Sequence, residues 1–165
     1  AQPDVHGPIT EQGNVRLRYP RGNGVCPDWR SPFEEITVGT GRCLRAGTDV
    51  AVITLGPIGN DVAELLDEMQ GTKQVAHYDL RFVKPLDENL LQDIGSKFNK
   101  IITIEDGVRN GGMGSAVMEW MADHGFRPQI VRMGLPDAFV EHGSVAQLRK
   151  LVGLDADSIR KEIEA

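Results

Sequence analysis

The sequence predicts an α/β domain of three layers, helices covering both faces of a mostly parallel sheet. Three observations predict it. Strand candidates recur at residues 50–55, 74–78, 100–104 and 129–132, and those at 50–55 and 100–104 are continuous β-branched runs. Runs without polar alternation mark strands buried on both faces. Stretches of helical spacing separate them, and such alternation joins parallel strands through right-handed crossovers.

The first 35 residues stand apart. They hold five of the nine prolines, Pro3, Pro8, Pro20, Pro27 and Pro32, with Gly7, Gly13, Gly22 and Gly24 among them. That density of breakers forbids a long helix. One strand signal interrupts it: Val15, Leu17 and Tyr19 alternate with Arg16 and Arg18. A lone strand in irregular chain reads as the last strand of a preceding domain, followed by a linker. Residues 1–34 are therefore assigned to that strand and linker, and 35–165 to a domain of their own.

Within 35–165, Ile36-Thr37-Val38 and Arg42-Cys43-Leu44 suggest extended chain, and Ala46 to Asp49 a turn. The strand at 50–55 ends at Gly56-Pro57. Asn60 is placed to cap a helix bearing Val62, Leu65, Leu66 and Met69, which Gly71 would stop. Asp87 caps a helix over 87–97 with Leu90, Leu91 and Ile94 inward. Helices follow at 115–124, 145–152 and 156–163, with Ser144 as a further cap.

Composition bounds the function. The chain has 165 residues, with 18 Lys and Arg against 24 Asp and Glu, a net charge of −6. An acidic balance argues against bulk binding to nucleic acid or anionic membrane. No apolar run approaches the roughly 20 residues of a membrane helix. Cys26 and Cys43 form no C-x-x-C pair, in keeping with a reducing cytoplasmic setting. His6, His77, His124 and His142 have no metal-ligand spacing, so no metal site is expected.

Four segments could carry chemistry. Residues 105–115 are glycine-rich, with Gly111, Gly112 and Gly114 opening a helix whose free N–H groups suit an anion. Tight helix-on-sheet packing is the competing and favoured reading, since neither G-x-G-x-x-G nor a P-loop Lys is present. Asp137 and His142 suggest acid–base work, against a plain turn before Ser144. Asp79 and Arg81 suggest a local ion pair. Arg21 follows Tyr19-Pro20 and precedes Gly22-Asn23-Gly24, where a guanidinium could bind phosphate bidentately or simply be a solvated turn.

Taken together, Tyr19-Pro20-Arg21-Gly22-Asn23, Asp79 through Asp87, Glu105-Asp106-Gly107 with Gly111 through Val117, and Gly134 through Gly143 resemble the 1-deoxy-D-xylulose-5-phosphate synthase family, in that family's order. Gly153-Leu154-Asp155-Ala156 continues the match. The resemblance implies the C-terminal end of a longer enzyme: the last strand of its pyrimidine-binding middle domain, a linker, and a transketolase-like third domain whose sheet has five strands, one antiparallel. It implies a homodimeric cytoplasmic transferase that uses thiamine diphosphate and Mg²⁺. That enzyme condenses pyruvate with glyceraldehyde 3-phosphate, releasing CO₂, for isoprenoid, thiamine and pyridoxal biosynthesis. The family's cofactor and metal sit on an upstream Gly-Asp-Gly segment, and its activating Glu is in the middle domain. Glu105-Asp106-Gly107 is neither, so this chain alone is expected to bind no cofactor or metal, to hold no catalytic residue and to be inactive. The resemblance assigns substrate phosphate binding to Arg21 and leaves Arg18 structural. The alternatives are the matching domain of a 2-oxoacid dehydrogenase β subunit or a transketolase, and a non-catalytic anion-binding or dimerisation domain.

Overall fold

The computed structural model describes residues 35–69, 71 and 73–165. The chain divides into two units, Ala1–Thr37 and Val38–Ala165. The expected strand at Val15 to Tyr19, together with Arg18, Arg21 and Cys26, lies outside the described residues.

The second unit is built from strands β1 (Arg42–Arg45), β2 (Val50–Leu55), β3 (Val75–Asp79), β4 (Lys100–Val108) and β5 (Gln129–Leu135). Its helices are α1 (Ile58–Glu68), α2 (Glu88–Lys97), α3 (Met113–Asp123), α4 (Val145–Val152) and α5 (Ala156–Glu164). The sheet order is β1-β3-β2-β4-β5. The last four strands are parallel, and β1 pairs antiparallel with β3. Among the described residues, no helix is long and apolar enough to cross a membrane.

Each central strand sends alternate side chains to opposite faces. Val50, Val52, Ile102 and Ile104 meet Ile58, Val62, Leu65 and Leu66 of α1 and Ile159 and Ile163 of α5. Ala51, Ile53, Ala76 and Ile101 meet Leu91 and Ile94 of α2 and Val117, Trp120 and Met121 of α3. The outcome is the expected three layers, α1/α5, sheet, α2/α3.

A turn as short as Ala46 to Asp49 normally makes a hairpin, yet β1 and β2 lie on opposite sides of β3. The turn crosses beneath the start of β3. Thr48 and Asp49 donate their N–H groups to the Gln74 carbonyl at 3.0 and 2.9 Å, and the Asp49 carboxylate accepts from the Gln74 N–H at 2.7 Å. Gly47 allows the crossing: a Cβ there would collide with the backbone of Val75 and Ala76.

Several boundaries differ from expectation. Ile36 to Val38 form no strand, because the chain turns at Gly39, at φ 80° and pressed against Pro85. Asn60 is not a cap: Gly56, at φ 83°, and Pro57 start α1 at Ile58, and Gly59 and Asn60 bond back to the Gly56 and Pro57 carbonyls. The same helix ends at Glu68, with Met69 already extended, before Gly71. β4 and β5 run past Ile104 and Arg132 to meet again at Val108 and Leu135. Asp87 and Ser144 do cap. Asp87 accepts the Leu90 N–H, and Ser144 forms a reciprocal capping box with Gln147. Asp155 caps α5, and the Ser158 hydroxyl that bonds its carboxylate lowers its pKa.

Candidate functional site at the carboxyl end of the sheet

In an open parallel sheet, ligands gather at the carboxyl ends of strands whose connections leave in opposite directions. Here that point lies between β2, which leads to α1, and β4, which leads to α3 on the other face. The glycine-rich segment borders it.

An anion does sit at the α3 N-terminus, and it belongs to the chain. Glu105, 5% exposed, turns its carboxylate onto the first turn of α3. Oε2 accepts the Met113 N–H and Oε1 the Gly114 N–H, both at 2.9 Å. Negative charge against unpaired helix N–H groups is the favourable sign of the helix dipole. The glycines make room for it. A Cβ on Gly112 would strike the Val108 carbonyl and the Glu105 carboxylate, and one on Gly114 would strike the Thr103 hydroxyl. Close packing is thus what this loop is for. This carboxylate also explains why α3 begins at Met113 instead of Ser115.

Ser115 is similarly engaged, whereas the buried Thr103 hydroxyl has no hydrogen-bond partner among the described residues. Ser115 Oγ accepts from the Gly111 N–H at 3.0 Å and from Arg132 Nη1 at 2.7 Å, and donates to the Arg109 carbonyl at 3.1 Å. Over the crevice itself, Arg149 of α4 bonds Asp61 of α1 at 2.6 Å and reaches Asp106 of β4 at 3.6 Å.

The Asp79–Arg81 pair is replaced by a different arrangement. The Asp79 carboxylate pairs with Arg42 at 3.0 Å and accepts the backbone N–H of Arg81 at 3.1 Å, while the Arg81 guanidinium bonds the Gly41 carbonyl at 3.0 Å. Arg81 has φ 55°, unusual for a residue with a side chain, and its Nε is buried without a partner among the described residues. Asp137 and His142 are both exposed and form no hydrogen bond with each other, so no acid–base pair is assembled. Among the described residues, no group of three or more His, Cys, Asp or Glu is arranged to hold a metal ion.

His77 is a further buried titratable group that the sequence did not single out. It lies on β3 under the α1 face, 1% exposed, with Nε2 2.9 Å from Thr54 Oγ1. The Thr54 hydroxyl donates to the Tyr78 carbonyl at 3.3 Å, so the neutral ring donates to Thr54. Burial lowers its pKa to about 4, the lowering reduced by Asp79 and reinforced by Arg45.

Sequence reasoning missed Glu105 and Arg149. A carboxylate at a strand end eight residues before a glycine-opened helix is the signal that could have found Glu105. Arg149 reaches a partner 88 residues away, and nothing local announces it.

Residues 39–159 match the family described as transketolase, C-terminal domain. The chain belongs to the transketolase C-terminal domain family. Its relatives are more specific. It is 54% identical over 157 residues to 1-deoxy-D-xylulose-5-phosphate synthase of Bacteroides thetaiotaomicron, covering 94% of this chain and 24% of that protein. It is 50% identical over 155 residues to the synthase of Cytophaga hutchinsonii, covering 92% and 24%. The chain thus spans about a quarter of the length of these curated relatives. Among solved structures, a split gene transketolase described as an inactive beta4 tetramer superposes with a TM-score of 0.74 at 26% identity, covering 81% of this chain and 44% of that one.

Proposed function

We propose that this transketolase C-terminal domain is part of a longer 1-deoxy-D-xylulose-5-phosphate synthase, and that its described residues are scaffold, with the chemistry performed elsewhere in that protein. The observation that carries this reading is identity above 50% with such synthases along nearly the whole chain. The longer protein would be a cytoplasmic homodimer that joins pyruvate, after loss of CO₂, to glyceraldehyde 3-phosphate. Thiamine diphosphate and Mg²⁺ would supply the carbanion chemistry.

The described residues do not fit that cofactor. A diphosphate needs free N–H groups or cations, and the α3 N-terminus already holds Glu105. Arg149 is likewise engaged with Asp61 and Asp106. Both features support a scaffold role.

The substrate contact in this reading is Arg21, which takes the phosphate of glyceraldehyde 3-phosphate. A phosphate carries nearly two charges, and a guanidinium meets it with a planar fork that Lys cannot copy. The intact longer protein should form 1-deoxy-D-xylulose 5-phosphate when given both substrates, thiamine diphosphate and Mg²⁺. In it, Arg21→Ala should lower kcat/KM for glyceraldehyde 3-phosphate by about 2–4 kcal/mol and leave the KM for pyruvate nearly unchanged. Equal damage towards both substrates would make Arg21 a structural residue. Absence of product from the intact protein would overturn the assignment.

A further inference from the structure

Because β1 is antiparallel and starts beside Asp79, the chain comes into this domain at the carboxyl end of the parallel strands. The backbone just before β1 is anchored at that end. Gly41 donates its N–H to Asp87 at 2.8 Å, and its carbonyl accepts from Arg81. The same end carries most of the large apolar side chains that the domain leaves exposed. Val38 precedes β1, and Val83 lies between β3 and α2. Val108 ends β4, Phe139 sits between β5 and α4, and Val145 opens α4. Phe139 is fully exposed, Val145 is 68% exposed and Val108 52%. Val108 pairs with Leu135 at the tip of the ladder, a short step from Phe139. The opposite end of the sheet is finished with polar groups, Lys73, Gln74, Asn99, Lys100 and Gln129. Apolar exposure gathered at one end of a domain marks a surface that something covers.

We infer that the carboxyl end of the sheet is a docking face for the part of the longer polypeptide that precedes this chain, with Val108, Phe139 and Val145 as its apolar anchors. The inference rests on the longer-synthase reading above. Two facts favour that occupant. The relatives are about four times as long as the stretch matched here, so most of the polypeptide would lie outside this chain. The chain enters this domain at the same end as the anchors, and a tether gives a linked neighbour a high effective concentration that a second copy lacks.

Carbene footprinting read by mass spectrometry tests this on the 165-residue chain and on the intact longer protein. Phe139 and Val145 should label strongly in the chain and about five-fold less in the longer protein, while Met118 and Leu151 label alike in both. Phe139→Ser with Val145→Ser should leave the Tm of the chain unchanged and lower that of the longer protein. Equal labelling of Phe139 in both overturns the docking face, even where the longer protein makes 1-deoxy-D-xylulose 5-phosphate and the synthase reading stands. A chain that is dimeric alone, and monomeric once Phe139 and Val145 are replaced, assigns the face to a second copy and also overturns it. A longer protein without synthase activity removes the reading on which the inference rests, whatever the labelling.

Discussion

The two ends of the sheet satisfy helix termini with opposite charges and in opposite settings. At the amino end, Lys73 bonds the Ile163 and Glu164 carbonyls at 2.9 and 2.7 Å, and Lys100 bonds the Glu162 carbonyl at 2.6 Å. These ammonium groups meet the free carbonyls and negative dipole end of α5, close to water. At the carboxyl end, Glu105 meets the positive end of α3 in a buried site closed by glycines. The electrostatic rule is the same at both ends, but the consequence of breaking it is not. Water can replace a lysine at the rim. It cannot readily reach the N–H groups beneath Glu105.

That contrast sets the scale of the expected effects. Glu105→Ala should cost about 2–4 kcal/mol, because it strips two buried N–H groups of a charged acceptor and leaves a void. Glu105→Gln keeps the shape and one acceptor oxygen and should lie between alanine and the native chain. Urea unfolding followed by circular dichroism would measure both. A loss under 1 kcal/mol for the alanine variant would mean that solvent reaches the α3 N-terminus after all.

The next effect is set by pH. Folded His77 has its pKa near 4, against the ordinary 6.5 of the unfolded chain. Between these values the unfolded state binds the extra proton, so stability is full above about pH 6.5 and falls as the pH drops towards 4. The loss from this one group is up to about 3 kcal/mol. Unfolding free energies across that range, for the native chain and for His77→Gln, isolate the contribution. An unaltered slope in the variant would remove His77 as its source. The smallest effect belongs to the amino end: Lys73→Ala and Lys100→Ala should each cost about 0.3–1 kcal/mol, less in high salt. Losses matching that of Glu105→Ala would erase the contrast between the ends.

Much of this architecture was legible in the sequence, for a physical reason. Val50 to Thr54 and Ile101 to Ile104 are buried on both faces, which selects runs that are apolar but for Thr54 and Thr103. Asp87 and Ser144 announce their helices because a cap acts across three residues. What stayed hidden depends on partners far along the chain. The glycines at 111, 112 and 114 left room for an anion at a helix start, and the carboxylate eight residues upstream of that start, Glu105, went unread as that anion. The Asp79–Arg81 pair looked local, and the antiparallel return of β1 instead brought Arg42 to Asp79 and Gly41 to Arg81. The start of α1 was misplaced because Gly56-Pro57 can open a helix with no side-chain cap.

The placement of β1 has one more consequence. Among the described residues it is the outermost strand on its side, four residues long, and every one is exposed. An open strand edge invites a neighbouring sheet to continue across it, the route by which β-rich proteins aggregate. Were two copies of Arg42-Cys43-Leu44-Arg45 to align antiparallel in full register, Arg42 of each would face Arg45 of the other. Like charges set directly opposite across a ladder repel. The two arginines that tie this strand to Asp79 and Asp67 therefore also act as gatekeepers against endless sheet growth.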